Sequence, residues 1–175
     1  MNSRPQILLF ALLTACGGGG AYGFSPEYAP LSAEERAVDG ATEVSYEDVR
    51  RAPDDYAASK LAWFGVVTSI DEETGLVEMT YRTLAPRNLC ADERDSSCRV
   101  TVSHREGGPF SARLQLEPAD LAGENRIWVG SLLRVVGSPE PELAEDGGPV
   151  FVGTYYRHWP RSLYRTTRAR GQMRR

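Results

Sequence analysis

Two histidines, three cysteines and 24 carboxylates are the side chains with which this 175-residue chain could do chemistry. A nucleophilic or general-base pair needs a histidine beside a serine or cysteine, and neither histidine accompanies a G-x-S-x-G elbow. His104 stands in a polar turn region, and His158 lies between Arg157 and Trp159. The sequence contains no H-E-x-x-H, P-loop or dinucleotide fingerprint. Its acids cluster as Asp54-Asp55, Asp71-Glu72-Glu73 and Asp92-Glu93. All three groups fall in expected turns, where solvated acids are the ordinary outcome, and none has the spacing of a calcium loop. A zinc site built from Cys90, Cys98, His104 and His158 would lack the close C-x₂₋₄-C pairing typical of such sites. The expectation is a non-enzymatic chain with no catalytic residue, cofactor or metal.

The cysteines point to other chemistry. Residues 12–20 read LLTACGGGG, which puts Cys16 between an apolar run and a flexible glycine tract. Ahead of it, residues 1–6 are polar with one positive charge, Arg4, and residues 7–13 (ILLFALL) are apolar. That run is far short of the roughly 20 residues that span a bilayer, and suits a signal peptide. The order of charge, apolar run, Leu13-Thr14-Ala15 and Cys16 resembles the lipobox of bacterial lipoproteins. The resemblance implies cleavage before Cys16, a diacylglycerol on its sulfur and an acyl chain (palmitate or similar) on its new amino group. Several acyl chains at about 0.8 kcal/mol per buried CH₂ hold a protein stably on a membrane. Gly17 follows the cysteine, where the best-known sorting rule places an aspartate for inner-membrane retention, so the outer membrane is expected. With Cys16 acylated, Cys90 and Cys98 remain, enclosing the polar residues 91–97. In an oxidising periplasm they should form a disulfide contributing roughly 2.5 kcal/mol.

Charge is unevenly spread. Residues 17–156 hold 24 acids against 12 basic residues, near −12, whereas residues 157–175 hold seven arginines and no acid. An acidic body repels nucleic acid, whose binding depends on neutralising phosphates. The tail could attract anionic lipid or lipopolysaccharide, with Arg161, Arg165 and Arg168 on one face if it formed a helix. It could equally be frayed, or fold back onto the acidic body.

The expected organisation is a signal peptide over 1–15, lipidated Cys16 with a flexible linker over 16–44, a domain over 45–159, and the arginine-rich tail over 160–175. The glycine tract, Pro26 and Pro30 mark the linker, within which Ser32 and Glu35 could cap a turn of helix. Ser45 and Asp48 cap a second short helix that must end before Pro53. Strands are expected over 61–70, 76–84, 99–103, 110–116, 127–137 and 150–156. In 110–116, Phe110, Ala112, Leu114 and Leu116 alternate with polar residues. Five main strands, a brief helix over 118–124, and Gly65, Gly130 and Gly153 at bends predict an all-β, five-stranded OB-like barrel.

PDDY at 53–56, LAWFGVV at 61–67, GSLLRVVG at 130–137 and PVFVGTYYRHW at 149–159 resemble the Slp-type (starvation-inducible) outer-membrane lipoproteins. The chain departs from that pattern in lacking the glycine usual after Tyr56, and in placing Phe64 where a second glycine is common. The resemblance implies an envelope lipoprotein without an enzymatic site. Two function classes follow. The barrel docks on an envelope protein in a structural or interaction role, or it binds a saccharide or peptide on its strand 2–3 face, where Tyr81, Arg82 and Arg113 would meet the ligand.

Overall fold

The computed structural model describes residues 30–88, 100–161 and 163–170. Helices α1 (Ser32–Val38), α2 (Tyr46–Arg51) and α3 (Pro53–Tyr56) lead into strands β1 (Leu61–Asp71), β2 (Leu76–Arg82), β3 (Leu84–Asn88), β4 (Val100–Val102) and β5 (Pro109–Arg113). Helix α4 (Pro118–Leu121) precedes β6 (Leu132–Leu143) and β7 (Pro149–Trp159), and β8 (Tyr164–Thr166) and α5 (Thr167–Arg170) follow. Strands β1, β2, β5, β7 and β6 close into a barrel in that order, with β5 and β7 parallel and the other neighbours antiparallel. The short helix α4 lies between the third and fourth barrel strands, as the expected OB-like connectivity requires. A second, small sheet runs β3-β4-β8.

Strand β1 explains why the barrel has two cores. Successive side chains of a strand point to opposite faces. Leu61, Trp63 and Val67 enter the interior with Phe110, Leu133, Val135 and Phe151. Phe64 points the other way, into a cluster with Val100, Val102, Leu132 and Trp159. Both faces of β1 are thus covered, so the strand reads as an almost continuous apolar run. Trp63 fills the interior, its ring centroid 4.7 Å from Phe151, 4.9 Å from Tyr81 and 5.5 Å from Phe110. Gly65 makes that packing possible, because a β-carbon there would stand 2.6 Å from the Phe110 ring. Gly153 faces Gly137 at the register shift between β6 and β7.

Several expectations about extent and capping need correction. The strand expected over 127–137 begins only at Leu132, because residues 128–131 form a tight turn. The strand expected over 110–116 ends at Arg113. The linker expected to reach residue 44 belongs to the folded body from its first described residues. Trp63 Nε1 donates to Val44 O at 3.2 Å, Thr42 N to Lys60 O at 2.8 Å, and Glu34 is fully buried. Helix α1 is capped at Leu31, whose N–H donates to Glu34 Oε2, and not by Ser32 with Glu35. The arginine-rich segment folds back as far as Thr167, with β8 paired in parallel with β4 and Thr167 bonded to His104. Ser45 caps α2 as expected, accepting from Asp48 N.

Candidate functional site

The residues expected to form a ligand face are not brought together. Tyr81 turns inward, half-buried, and stacks on Tyr46 with centroids 5.6 Å apart. Burial raises its phenol pKa. Arg82 braces the loop after β4, donating from Nη1 to His104 O at 2.9 Å and from Nη2 to Glu106 Oε1 at 2.7 Å. Arg113 stands opposite Leu76 and pairs with Glu140 at 3.1 Å. Leu76 is five residues from Tyr81, about 17 Å along a strand. The three side chains therefore serve packing, a loop brace and a surface ion pair. Beside Arg82, a cleft of about 440 Å³ is lined by Glu43, Ala62, Phe64, Leu84 and Arg134 among others. Its two guanidiniums are already engaged with Glu106 and Glu34.

The histidines occupy different surroundings. His104 Nδ1 lies 2.7 Å from Thr167 Oγ1, which also accepts from the His104 N–H, so this residue ties the loop to the last described helix. His158 sits on β7 half-buried, with no hydrogen-bond partner for Nε2 among the described residues. Burial lowers its pKa below the usual 6.5, only partly offset by the Asp120 charge. The unfolded chain then binds more protons between the two pKa values. The stability contributed by neutral His158 is full above 6.5 and lost as pH falls toward the folded-state value. His158→Gln should flatten the stability-against-pH curve just below 6.5 in urea titrations. An unchanged slope would show that the ring titrates alike in both states. Asp71 acts in a separate, more acid window. The Thr74 hydroxyl and the Thr74 and Glu73 N–H groups hold its carboxyl below the usual 3.8, so its contribution is lost only below that pH. Among the described residues, no three His, Cys, Asp or Glu side chains are grouped to hold a metal ion.

The tail arginines do not share a helical face. Arg165 lies in β8, half-buried, and donates from Nη1 to Tyr164 O at 2.9 Å. Arg161 is exposed in the turn before it, and Arg168 is exposed in α5. Arg157 is not a tail residue at all. It is 5% exposed, with its guanidinium carbon 4.5 Å from the Trp159 ring centroid and Nη1 2.9 Å from Glu34 Oε2. Arg134 Nη1 approaches the other carboxylate oxygen at 2.6 Å. One buried carboxylate thus pairs with two guanidiniums, and joins α1 to β6 and β7.

A different end of the molecule gathers groups that the strand expected over 127–137 conceals. Trp128 and Val129 are exposed by 45% and 65%, while their neighbours Ile127 and Ser131 are buried. Gly130, with φ +94°, turns the chain, Ser131 N donates to Trp128 O, and Ser131 Oγ accepts from Trp128 N. The Arg126 guanidinium lies 5.0 Å from the Trp128 ring centroid. The signal for this turn in the sequence is Gly130-Ser131 directly after two large apolar residues, a turn pattern inside an apparent strand.

Cys16, Cys90 and Cys98 lie outside the described residues. No family model, curated protein or solved structure matches this chain.

Proposed function

We propose that this chain is a non-enzymatic lipoprotein of the bacterial cell envelope, anchored at the outer membrane by acylated Cys16. Its OB-like barrel serves a structural or interaction role there. The observation that carries this reading is the order of residues 1–20: Arg4, the apolar run 7–13, Leu13-Thr14-Ala15-Cys16 and four glycines. The barrel supports it in a second way. Trp63, Phe110 and Phe151 fill the interior, so recognition falls to the outer surface and the barrel ends. A saccharide or peptide site on Tyr81, Arg82 and Arg113 has less support, since the three are dispersed and engaged elsewhere.

In cells expressing the full chain, Cys16→Ser should leave an uncleaved precursor or release the protein from membranes. The parent should fractionate with outer-membrane markers and carry the added mass of acyl chains. The same non-reducing mass measurement should find the mature chain two hydrogens short, from a Cys90–Cys98 bridge. An unacylated parent, or a Cys16→Ser chain with an unchanged membrane fraction and no mass shift, would overturn the anchor.

A further inference from the structure

We propose that the turn at residues 128–131 is a membrane-contact tip, in which Trp128 and Val129 enter the headgroup region of an anionic leaflet and Arg126 and Arg161 engage its phosphates. This goes beyond the lipoprotein reading and does not require acylation of Cys16.

The tip is built to stay outside. Gly130 N donates to Val67 O and Val67 N to Ser131 O, both at 2.8 Å, which rivets the turn to β1. Tyr164 Oη donates to Gly130 O at 2.8 Å and fixes the other side. Ile127 and Leu132, both buried, clamp the segment at either end. Trp128 and Val129 therefore cannot fold inward, and they remain exposed at no conformational cost to a partner that buries them. Tryptophan suits the water–hydrocarbon boundary, with an apolar ring and one N–H donor.

Charge selects the partner. Arg126 stands over Trp128, and the Arg161 side chain runs about 3.4 Å from where a Gly130 β-carbon would be. Both arginines are exposed, and Glu124 is the only acid within residues 122–131. Two apolar side chains on a turn are too small for a stable protein interface, which buries about 1,200–2,000 Å². They are enough for a tip that dips into a surface already held close by arginines, each worth about fivefold in binding to an anionic leaflet.

The most acidic hairpin lies far from the tip, while α4, with Asp120, adjoins it through the Ile127 N–H donating to Asp120 O. Glu140, Glu142, Glu145 and Asp146 lie around the β6–β7 hairpin, toward the opposite end of β6 from the turn and roughly 25 Å of strand or more away. An anionic surface would repel that end. Glu34 of α1 is fixed to Arg134 and Arg157, two registers from the Leu132–Trp159 pair beside the turn. The first described helix is thus held at the tip's end of the barrel, with Ser32 sixteen residues after Cys16.

The test uses the mature chain, residues 16–175 carrying Cys16→Ser, so that neither an acyl chain nor the apolar run 7–13 contributes. Trp63 and Trp159 are 3% and 0% exposed, so a change in tryptophan emission on adding vesicles reports Trp128. Vesicles of phosphatidylcholine with phosphatidylglycerol should shift that emission to the blue, and brominated acyl chains should quench it. Pure phosphatidylcholine should do neither. High salt should abolish the effect, because screening then acts within about 3 Å. Arg126→Gln with Arg161→Gln should weaken binding about 25-fold, and Val129→Asp by about tenfold. Both variants alter exposed side chains and should keep the parent's near-ultraviolet circular dichroism. A chain that sediments with anionic vesicles while Trp128 stays unquenched is held by another segment, and the proposal fails. It fails too if Val129→Asp and the arginine variant bind like the parent. Loss of acylation in cells with quenching intact would sink the anchor and leave the tip standing.

Discussion

Replacing Glu34 with alanine should cost about 3–5 kcal/mol, the range for a buried ion pair that loses one partner. At about 2–4 °C per kcal/mol for a chain of this size, the unfolding midpoint should fall by about 10 °C. Glu34 is 0% exposed and Arg157 is 5% exposed, so the Arg157 guanidinium cannot turn to water when the carboxylate goes. Arg134 is also hemmed in, its guanidinium carbon 5.2 Å from the Phe64 ring centroid. The Leu31 N–H loses its acceptor at the same time, which removes the cap of α1. Packing alone does not account for the expected loss, and a second variant separates the two effects. Glu34→Leu combined with Arg134→Met and Arg157→Met removes all three charges at similar volume, and should recover much of the stability. If Glu34→Ala costs under about 1 kcal/mol, the cluster behaves as an exposed surface ion pair and α1 is not held by it. If the triple variant is the least stable, the loss is one of shape and not of charge.

The barrel was legible in the sequence because its signals are local. Alternation in 110–116, the turn at Asp71–Gly75 and the Ser45 cap each depend on residues that sit next to one another in the chain. Even the OB-like order followed from counting strands around one short helix. Glu34 was not legible in this way. In a stretch with Glu35 and Arg36, after two prolines, it reads as a solvated face. Only the closure of β6 against β7, a hundred residues on, brings Arg134 and Arg157 beside it. The same limit applies to Tyr81, Arg82 and Arg113. Their strands are adjacent as expected, but register decides which positions meet, and β2 and β5 pair so that Arg113 faces Leu76. Trp128 was hidden because residues 127–137 read as one strand across the Gly130-Ser131 break, and so span a turn as well as a strand. A run of apolar letters does not reveal which of them the backbone will turn outward.

A chain that stops after Trp159 should be less stable by about 3 kcal/mol or more, and should expose a second apolar core. The sequence alone leaves this open, since the six arginines after Trp159, without an acid, suit a solvated tail whose removal costs nothing as well as one folded back. The packing favours the second. Trp159, Val100, Val102 and Leu132 are each 0% exposed, and Leu163 and Tyr164 cover them. Burying a full side chain of that size is worth about 1.5–3 kcal/mol, and these two are half-buried. The register of β8 with β4, Val100 to Tyr164 through Val102 to Thr166, adds backbone hydrogen bonds at about 1 kcal/mol each. The truncation also strips Thr167 from His104 and the Tyr164 hydroxyl from Gly130. Denaturant titration should show the loss, and a hydrophobic dye should bind the shortened chain and not the parent. Two controls assign the cause. A chain ending at Arg170 should match the parent, because every described contact of the segment survives. Arg161→Gln, Arg165→Gln and Arg168→Gln together should retain most of the stability, because Leu163 and Tyr164 still cover Trp159 when the charge is gone. Equal stability of the chain ending at Trp159 would mean that β8 rests on the barrel without supporting it. A charge-stripped chain as weak as the truncated one would mean that the arginines, and not the apolar cover, hold the segment to its acidic body.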